Sequence, residues 1–399
     1  MGTPLVVWDR KLLAYNLGAE HPLHPLRWEL TMSLADQLGV LEGIELLTPT
    51  QADDETLGTV HSAAYIAAVK ASSVAGARPQ GIHGLGTPDN PIFEHMHSAA
   101  SLIAGGSVQA ARAIARREVD RAANIAGGLH HAMADSASGF CVYNDAALAI
   151  KELLAQGVTR VAYVDVDVHH GDGVQAAFYD DPRVLTVSIH QSPLALWPGT
   201  GWPSELGRGA AAGTSVNITV PAGTGDSGWL RAFHAVVPAV VQAFRPEVLV
   251  TQSGADSHAE DPLADLKLSV DGQLASYLAL RDLAENAAGG RWLALGGGGY
   301  ALARVVPRAW AHLLAVLADK DVAPSTELPQ AYQTEAAQYD PFGGDPARPM
   351  PTTMSDSDGR PAEYTPWHGE HESSVDRGIA QARAAIFPLH GLDPFDARD

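Results

Sequence analysis

The sequence predicts an α/β chain: a parallel sheet wound with helices on both faces, with its site at the carboxyl ends of the strands. Three observations carry this. Short apolar segments, most of them closed by glycine or polar turns, alternate with helical patterns, the order that a parallel sheet needs. The residues suited to chemistry stand at the ends of several different apolar segments, where ligands of such sheets gather. Finally, a composition 46% hydrophobic and 18% charged, with 39 Gly and 26 Pro, is that of a loop-rich globular chain with a large core.

In chain order, the alanine-rich stretch 98–116 is predicted as a helix and 123–126 as a strand that runs into Gly127-Gly128. A helix over 143–156 leads to a strand over 161–168, and further strands follow at 184–189 and 216–220. Helix 229–244, strand 248–251, helix 274–287 and strand 292–295 complete the alternation. His130-His131, Asp165/Asp167/His169, Asp256 and Tyr300 each follow a different strand, so they can converge on one pocket. A pocket shared by residues 130 to 300 argues for one catalytic domain, taken as 1–321. From 322 the text turns to Pro, Asp, Glu, Thr and Ser, with a helix expected only over 375–386. Residues 322–399 are therefore read as a C-terminal extension packed on or near that domain.

With 26 basic and 46 acidic residues, the formal charge of −20 repels nucleic-acid phosphate and anionic lipid and favours cationic or lysine-rich partners. Neither a nucleic acid nor a membrane is expected as partner. The single cysteine, Cys141, forms no internal disulfide, and no leader or long apolar run is seen, so a cytoplasmic location is expected. No oligomeric contact is read from the sequence.

The segment Y-V-D-V-D-V-H-H-G-D-G, 163 to 173, concentrates the chemistry. Read as a strand, it puts Val164, Val166 and Val168 on one face and Asp165, Asp167 and His169 on the other. Side chains two apart lie ~6.6 Å apart along a strand, close enough for Asp167 and His169 to lean onto one ion. Asp256 can supply a third ligand. Two carboxylates and an imidazole suit a tetrahedral Zn²⁺ with a position left for water, with Fe²⁺ the alternative in the cell; one cysteine rules out a thiolate zinc site. Carboxylate ligands hold the pKa of such a water up, so a nearby base is useful. His130 and His131 are the candidate bases, and Asp165 and Asp172 are available to orient them. Tyr300, after Gly296 to Gly299, could swing toward the ion and donate to an oxyanion. The glycine run lacks the pattern of a phosphate loop. His95/His97 and His368/His371 are poorly placed to share a ligand role.

These residues carry a resemblance. The sequence resembles the zinc-dependent histone deacetylases of the class I type, and in particular their bacterial acetoin-utilisation relatives. The likeness runs through H-P-L-H-P-L-R (21 to 27), P-D-N-P (88 to 91), G-G-L-H-H-A (127 to 132) and S-G-F-C-V-Y-N-D (138 to 145). It continues in D-V-D-V-H-H-G-D-G (165 to 173), V-S-I-H (187 to 190), P-G-T-G (198 to 201), G-A-D-S-H-A-E-D-P-L (254 to 263) and G-G-G-G-Y (296 to 300), so that residues 5 to 315 are covered. It implies the arginase/deacetylase-type sheet and hydrolysis of the amide between acetate and a lysine ε-amine.

Carried over by resemblance, Asp167, His169 and Asp256 are expected to hold zinc. His130 and His131 are expected as the paired histidines, oriented by Asp165 and Asp172, with His131 as general base and Tyr300 as oxyanion donor. Gly139, Phe140, Trp197 and Leu263 match the walls of a lysine tunnel, Asp89 its acidic rim and Arg27 the inner acetate cavity. A structural K⁺ is implied beside the zinc, at Asp165 and Asp167 with main-chain oxygens near His169 and Ser188, and Phe178 falls at a second K⁺ site. Trp197 departs from the family's usual Phe, which bears on acyl-chain preference. The implied partner is an acetylated lysine protein, an acyl-CoA synthetase being one candidate. An acetylpolyamine amidohydrolase, a two-manganese ureohydrolase and a non-catalytic acetyl-lysine binder are the competing readings.

Overall fold

The computed structural model describes residues 3–79 and 81–396. Eight strands form one wholly parallel sheet: β1 (Leu5–Val7), β2 (Glu45–Leu47), β3 (Arg121–Asn124), β4 (Val161–Asp165), β5 (Val184–Gln191), β6 (Ser215–Val220), β7 (Val248–Gln252) and β8 (Trp292–Leu295). Their order across the sheet is β2-β1-β3-β8-β7-β4-β5-β6. The helices are α1 (Leu26–Gln37), α2 (Asp54–Leu57), α3 (Ala63–Ser72), α4 (Met96–Ala115), α5 (Asp145–Ala155), α6 (Asp172–Phe178), α7 (Asp226–Phe244), α8 (Val270–Ala288), α9 (Val306–Leu317), α10 (Gln330–Ala336) and α11 (Ser374–Ile386). Among the described residues, no helix is long and apolar enough to cross a membrane.

The central strands are apolar on both sides because both sides are covered. Val161 and Tyr163 of β4, with Val248 and Val250 of β7, pack against α4, α5 and α6. Ala162 and Val164, with Leu249 and Trp292, face the opposite layer built by α1, α7, α8 and α9. Side-chain alternation along each strand thus feeds two cores at once. The register then fixes where the chemistry collects. Asn124 pairs with Leu295, Leu295 with Gln252, Gln252 with Asp165 and Asp165 with Ser188. The four central strands therefore end along one row, and the loops that follow them open on one side.

The six strands expected from sequence are present, as are the helices over 98–116, 143–156, 229–244, 274–287 and 375–386, with shifted ends. One boundary needs correction. β4 stops at Asp165, so Asp167 and His169 do not extend a strand face as their spacing implied. Asp165 Oδ1 accepts the Asp167 amide at 3.1 Å, and Asp167 Oδ1 accepts the His169 amide at 3.0 Å. Each carboxylate turns the backbone two residues on, the Asx-type bond that competes with a ladder.

The described residues beyond 322 lie against this body. α11 packs on α7 and β6. Its capping box joins Ser373 and Asp376, and Arg231 of α7 reaches Asp376 at 2.8 Å and Glu370 at 2.9 Å. Farther back, Asp356 accepts from His258 Nε2 and the Val270 amide, both at 2.8 Å, and pairs with Arg308 at 2.8 Å. Burial pushes the Asp356 carboxyl up, but His258 and Arg308 outweigh it and hold it well below the ordinary carboxylate range. A depressed folded-state pKa contributes stability that is complete above the unfolded value of about 3.9 and is lost as pH falls below it. Asp356→Asn should therefore cost roughly 1 to 3 kcal/mol at pH 7. In urea unfolding series, the gap from the parent chain should shrink below about pH 4; a gap that stays constant with pH would refute the charge argument.

Candidate metal and catalytic site

The loop after β4 and the loop after β7 bring Asp167, His169 and Asp256 together. His169 Nδ1 stands 3.1 Å from Asp167 Oδ1 and 3.1 Å from Asp256 Oδ2. All three side chains are buried, Asp167 at 1%, Asp256 at 0% and His169 at 8% exposure. Among the described residues this is the only cluster of three or more such ligand atoms, all within 4.8 Å of one another. A tetrahedral ion with bonds of ~2.0 to 2.1 Å spaces its ligand atoms about 3.3 Å apart, so the donor set fits one divalent cation. The remaining carboxylate atoms are already committed. Asp256 Oδ1 accepts the Val168 amide at 3.0 Å, while Asp167 Oδ2 accepts Gln252 Nε2 at 2.6 Å and the Gly298 amide at 2.8 Å. Gly298 must be glycine for this approach: a Cβ there would lie 1.9 Å from Asp256 Oδ2 and 2.8 Å from Asp167 Oδ2.

The charges show what the cluster suits. Burial and the neighbouring Asp167 push Asp256 up to about 6. Burial pulls His169 down, but the two carboxylates overcome it and raise the imidazole to about 10. The two carboxylates thus call for a balancing positive charge at this point. A divalent cation gives the same compensation while freeing Nδ1 to act as a ligand.

His130 and His131 follow the Gly127-Gly128 turn. Asp145 holds that turn, accepting the Leu129 amide at 2.8 Å on Oδ1, and the Gly128 amide at 3.1 Å and Ser107 at 2.6 Å on Oδ2. His130 Nδ1 lies 2.7 Å from Asp165 Oδ2, and His131 Nδ1 lies 2.7 Å from Asp172 Oδ1. Both dyads expected from the sequence are thus formed, with both Nε2 atoms turned inward, 3.0 Å apart. At that separation one imidazole nitrogen can donate to the other. Burial lowers both histidines, yet Asp165 and Asp167 carry His130 up to about 9, whereas His130's own charge helps hold His131 down to about 4. His131 is therefore the neutral member at pH 7.

Beside this cluster lies a cavity of about 190 Å³. His131 and His169 form part of its wall, with Gly139 and Phe140 on one side, Leu196, Trp197 and Leu263 on another, and Asp89 and Tyr300 completing the lining. The Trp197 ring stands 4.6 Å from that of His131 and is 46% exposed, so it reaches from the inner wall to solvent. Gly139, at φ +50°, allows this packing: a Cβ would meet His131 at 2.4 Å and Trp197 at 2.7 Å. Tyr300 meets Phe140 edge to face at 5.7 Å. Burial, reinforced by Asp256 and Asp167, pushes its phenol well above the ordinary value, so it stays a neutral hydrogen-bond donor.

Arg27 does not line this cavity. It is fully buried, donates Nη1 to the Gly299 carbonyl at 3.0 Å, and sits 5.4 and 5.1 Å from the Trp28 and Trp310 rings. Its Nε and Nη2 have no hydrogen-bond partner among the described residues. It thus stands close to the Tyr300 turn. Phe178 is a core residue on α6 with Lys151 4.9 Å from its ring. Outside the site, His95 precedes α4 with φ 66°, and His97 bonds the Tyr143 hydroxyl at 3.0 Å. Sequence reasoning gave no role to Leu196, Asp145 or Gln252. For Gln252 a signal existed, an amide closing the apolar run V-L-V-T-Q, and its Oε1 also fixes the Gly254 amide at 2.8 Å.

Comparison with known proteins agrees with this geometry. Residues 21–317 match the histone deacetylase domain. The acetoin utilization protein AcuC of Bacillus subtilis strain 168 is 39% identical over 369 residues, 92% of each chain. AcuC of Staphylococcus aureus strain MSSA476 is 35% identical over 318 residues, 79% of this chain and 82% of its own. Among solved structures, an HDAC homologue complexed with SAHA superposes with a TM-score of 0.83 at 29% identity, covering 97% of this chain and 100% of its own. An HDAC homologue from Aquifex aeolicus gives 0.81 at 28%, covering 96% and 100%. The parallel sheet is thus the arginase/deacetylase fold, and the chain belongs to the histone deacetylase family of hydrolases, close to the bacterial acetoin utilization proteins.

Proposed function

We propose that the protein hydrolyses the acetyl amide of N6-acetyl-lysine in proteins, with Zn²⁺ held by Asp167, His169 and Asp256. The observation that supports this most directly is the slot itself. An uncharged wall of Phe140, Trp197, Leu196 and Leu263 leads to His131, His169 and Tyr300, so an acetylated side chain with apolar methylenes and a neutral head suits it from mouth to floor. The cation supplies Lewis acidity when bound, polarising the amide carbonyl and acidifying a water. His131, neutral and oriented by Asp172, would be the base, taking a proton from water at Nε2 in exchange for its contact with His130. Tyr300, kept neutral, donates its phenol hydrogen to the oxygen on which negative charge develops. The proton held between the two imidazoles passes to the departing amine, so amide and water leave as acetate and lysine. Asp89 at the rim is placed to accept from substrate backbone amides.

Three results check this reading. Purified protein should deacetylate an acetyl-lysine peptide, lose that activity on chelation and regain it with zinc; faster turnover of acetylspermidine than of the peptide would move the assignment to acetylpolyamines. Tyr300→Phe should lower kcat on the order of 10²-fold, the size of one oxyanion donor, and full turnover in that variant would remove Tyr300 from the mechanism. By elemental analysis, His131→Ala should keep one ion per chain while losing activity, whereas Asp256→Ala should lose the ion. The reverse pattern would mean that the ligands are wrongly assigned.

A further inference from the structure

A buried carboxylate outside both the ligand set and the histidine dyads joins two walls of the slot. Asp261 Oδ2 accepts the Tyr300 amide at 2.8 Å, and Oδ1 accepts the Leu263 amide at 3.0 Å. Asp261 is 6% exposed, and its own amide donates to the His258 carbonyl at 3.0 Å. The residues on its N-terminal side are gripped from the C-terminal extension. His258 accepts the Glu260 amide on Nδ1 at 3.0 Å, so its Nε2 is the hydrogen donor to Asp356 at 2.8 Å. Glu260 forms a two-point pair with Arg304, at 2.7 and 3.1 Å. Arg304 in turn donates to the carbonyls of Arg348 and Pro349 at 3.3 and 3.1 Å and lies 5.0 Å from the Phe342 ring.

We propose that Asp261 is a positioning residue that fixes the Tyr300 and Leu263 backbones relative to each other, and that the C-terminal extension, through Asp356 and the Arg304 cradle, holds Asp261 in place. The inference rests on the oxyanion role proposed for Tyr300. Tyr300 follows four glycines, a backbone with little stiffness of its own, so its ring position depends on what holds its amide. Asp261 does so from behind the slot, which it does not line. An error of 1 Å in a catalytic group suffices for a large rate loss.

A double-mutant cycle in the full-length chain separates positioning from general stabilisation. Asp261→Asn keeps the side-chain shape but sets an amide NH₂ against one of the two backbone N–H groups. It should lower kcat on the order of 10- to 100-fold, with KM little changed. In a Tyr300→Phe background the same change should cost less than about 2-fold, because the group it positions is already gone. Equal losses in both backgrounds would overturn the proposal. Hydrogen exchange gives a readout free of activity: the Tyr300 and Leu263 amides should exchange faster in Asp261→Asn, and the amides of 258–263 faster in Asp356→Asn. Unchanged exchange at Tyr300 in the first variant overturns the positioning role, and unchanged exchange at 258–263 in the second overturns the role of the extension. A parent chain inactive on every acetylated amine would refute the proposed function, while the exchange result would still decide the role of Asp261.

Discussion

The structure depends on burying carboxylates that have to be given hydrogen-bond partners. Asp165, Asp167, Asp172, Asp256 and Asp261 all lie at one end of the sheet, none more than 9% exposed. An isolated buried carboxylate is too costly to stay ionised, and removing one partner from a buried pair costs on the order of 3 to 5 kcal/mol. Each of these groups therefore has dedicated donors. Backbone amides serve Asp167, Asp256 and Asp261, imidazoles serve Asp165 and Asp172, and the Tyr163 hydroxyl adds a bond to Asp165 at 2.6 Å. The glycines follow from the same demand. At Gly298 the backbone passes so close to Asp256 and Asp167 that no Cβ fits beside its N–H.

That demand also explains which features could be read from the sequence. D-V-D-V-H-H-G-D-G places ligand, dyad partner and turn within nine residues, so local spacing carried the information. The central strands were legible because burial on both faces makes them continuous apolar runs. β1 and β2 were not, being three residues each, and β2 lies at the sheet edge with Glu45 and Leu46 exposed. The end of β4 was misjudged because alternating Val and Asp reads as a strand until the side-chain bonds that turn the chain are known. Asp261 and Gln252 were passed over for a different reason. Their partners lie 39 and 85 residues away, at Tyr300 and Asp167, and no local pattern records such pairing.

The same logic separates two chemically equal dyads. His130 and His131 each have one aspartate at 2.7 Å, yet their surroundings differ. His130 has Asp167 in addition, 3.9 Å from its Nε2, while His131 faces the charge of His130 and the ring of His169. The proton between the pair therefore rests on His130, and the Nε2 of His131 is the acceptor that faces it. A cation held by Asp167 would offset one of the two carboxylates that favour the His130 proton, and so would weaken the hold on that proton. Ligand site and proton store are thus joined through one carboxylate: Asp167 belongs to both, and the fold cannot tune either without shifting the other.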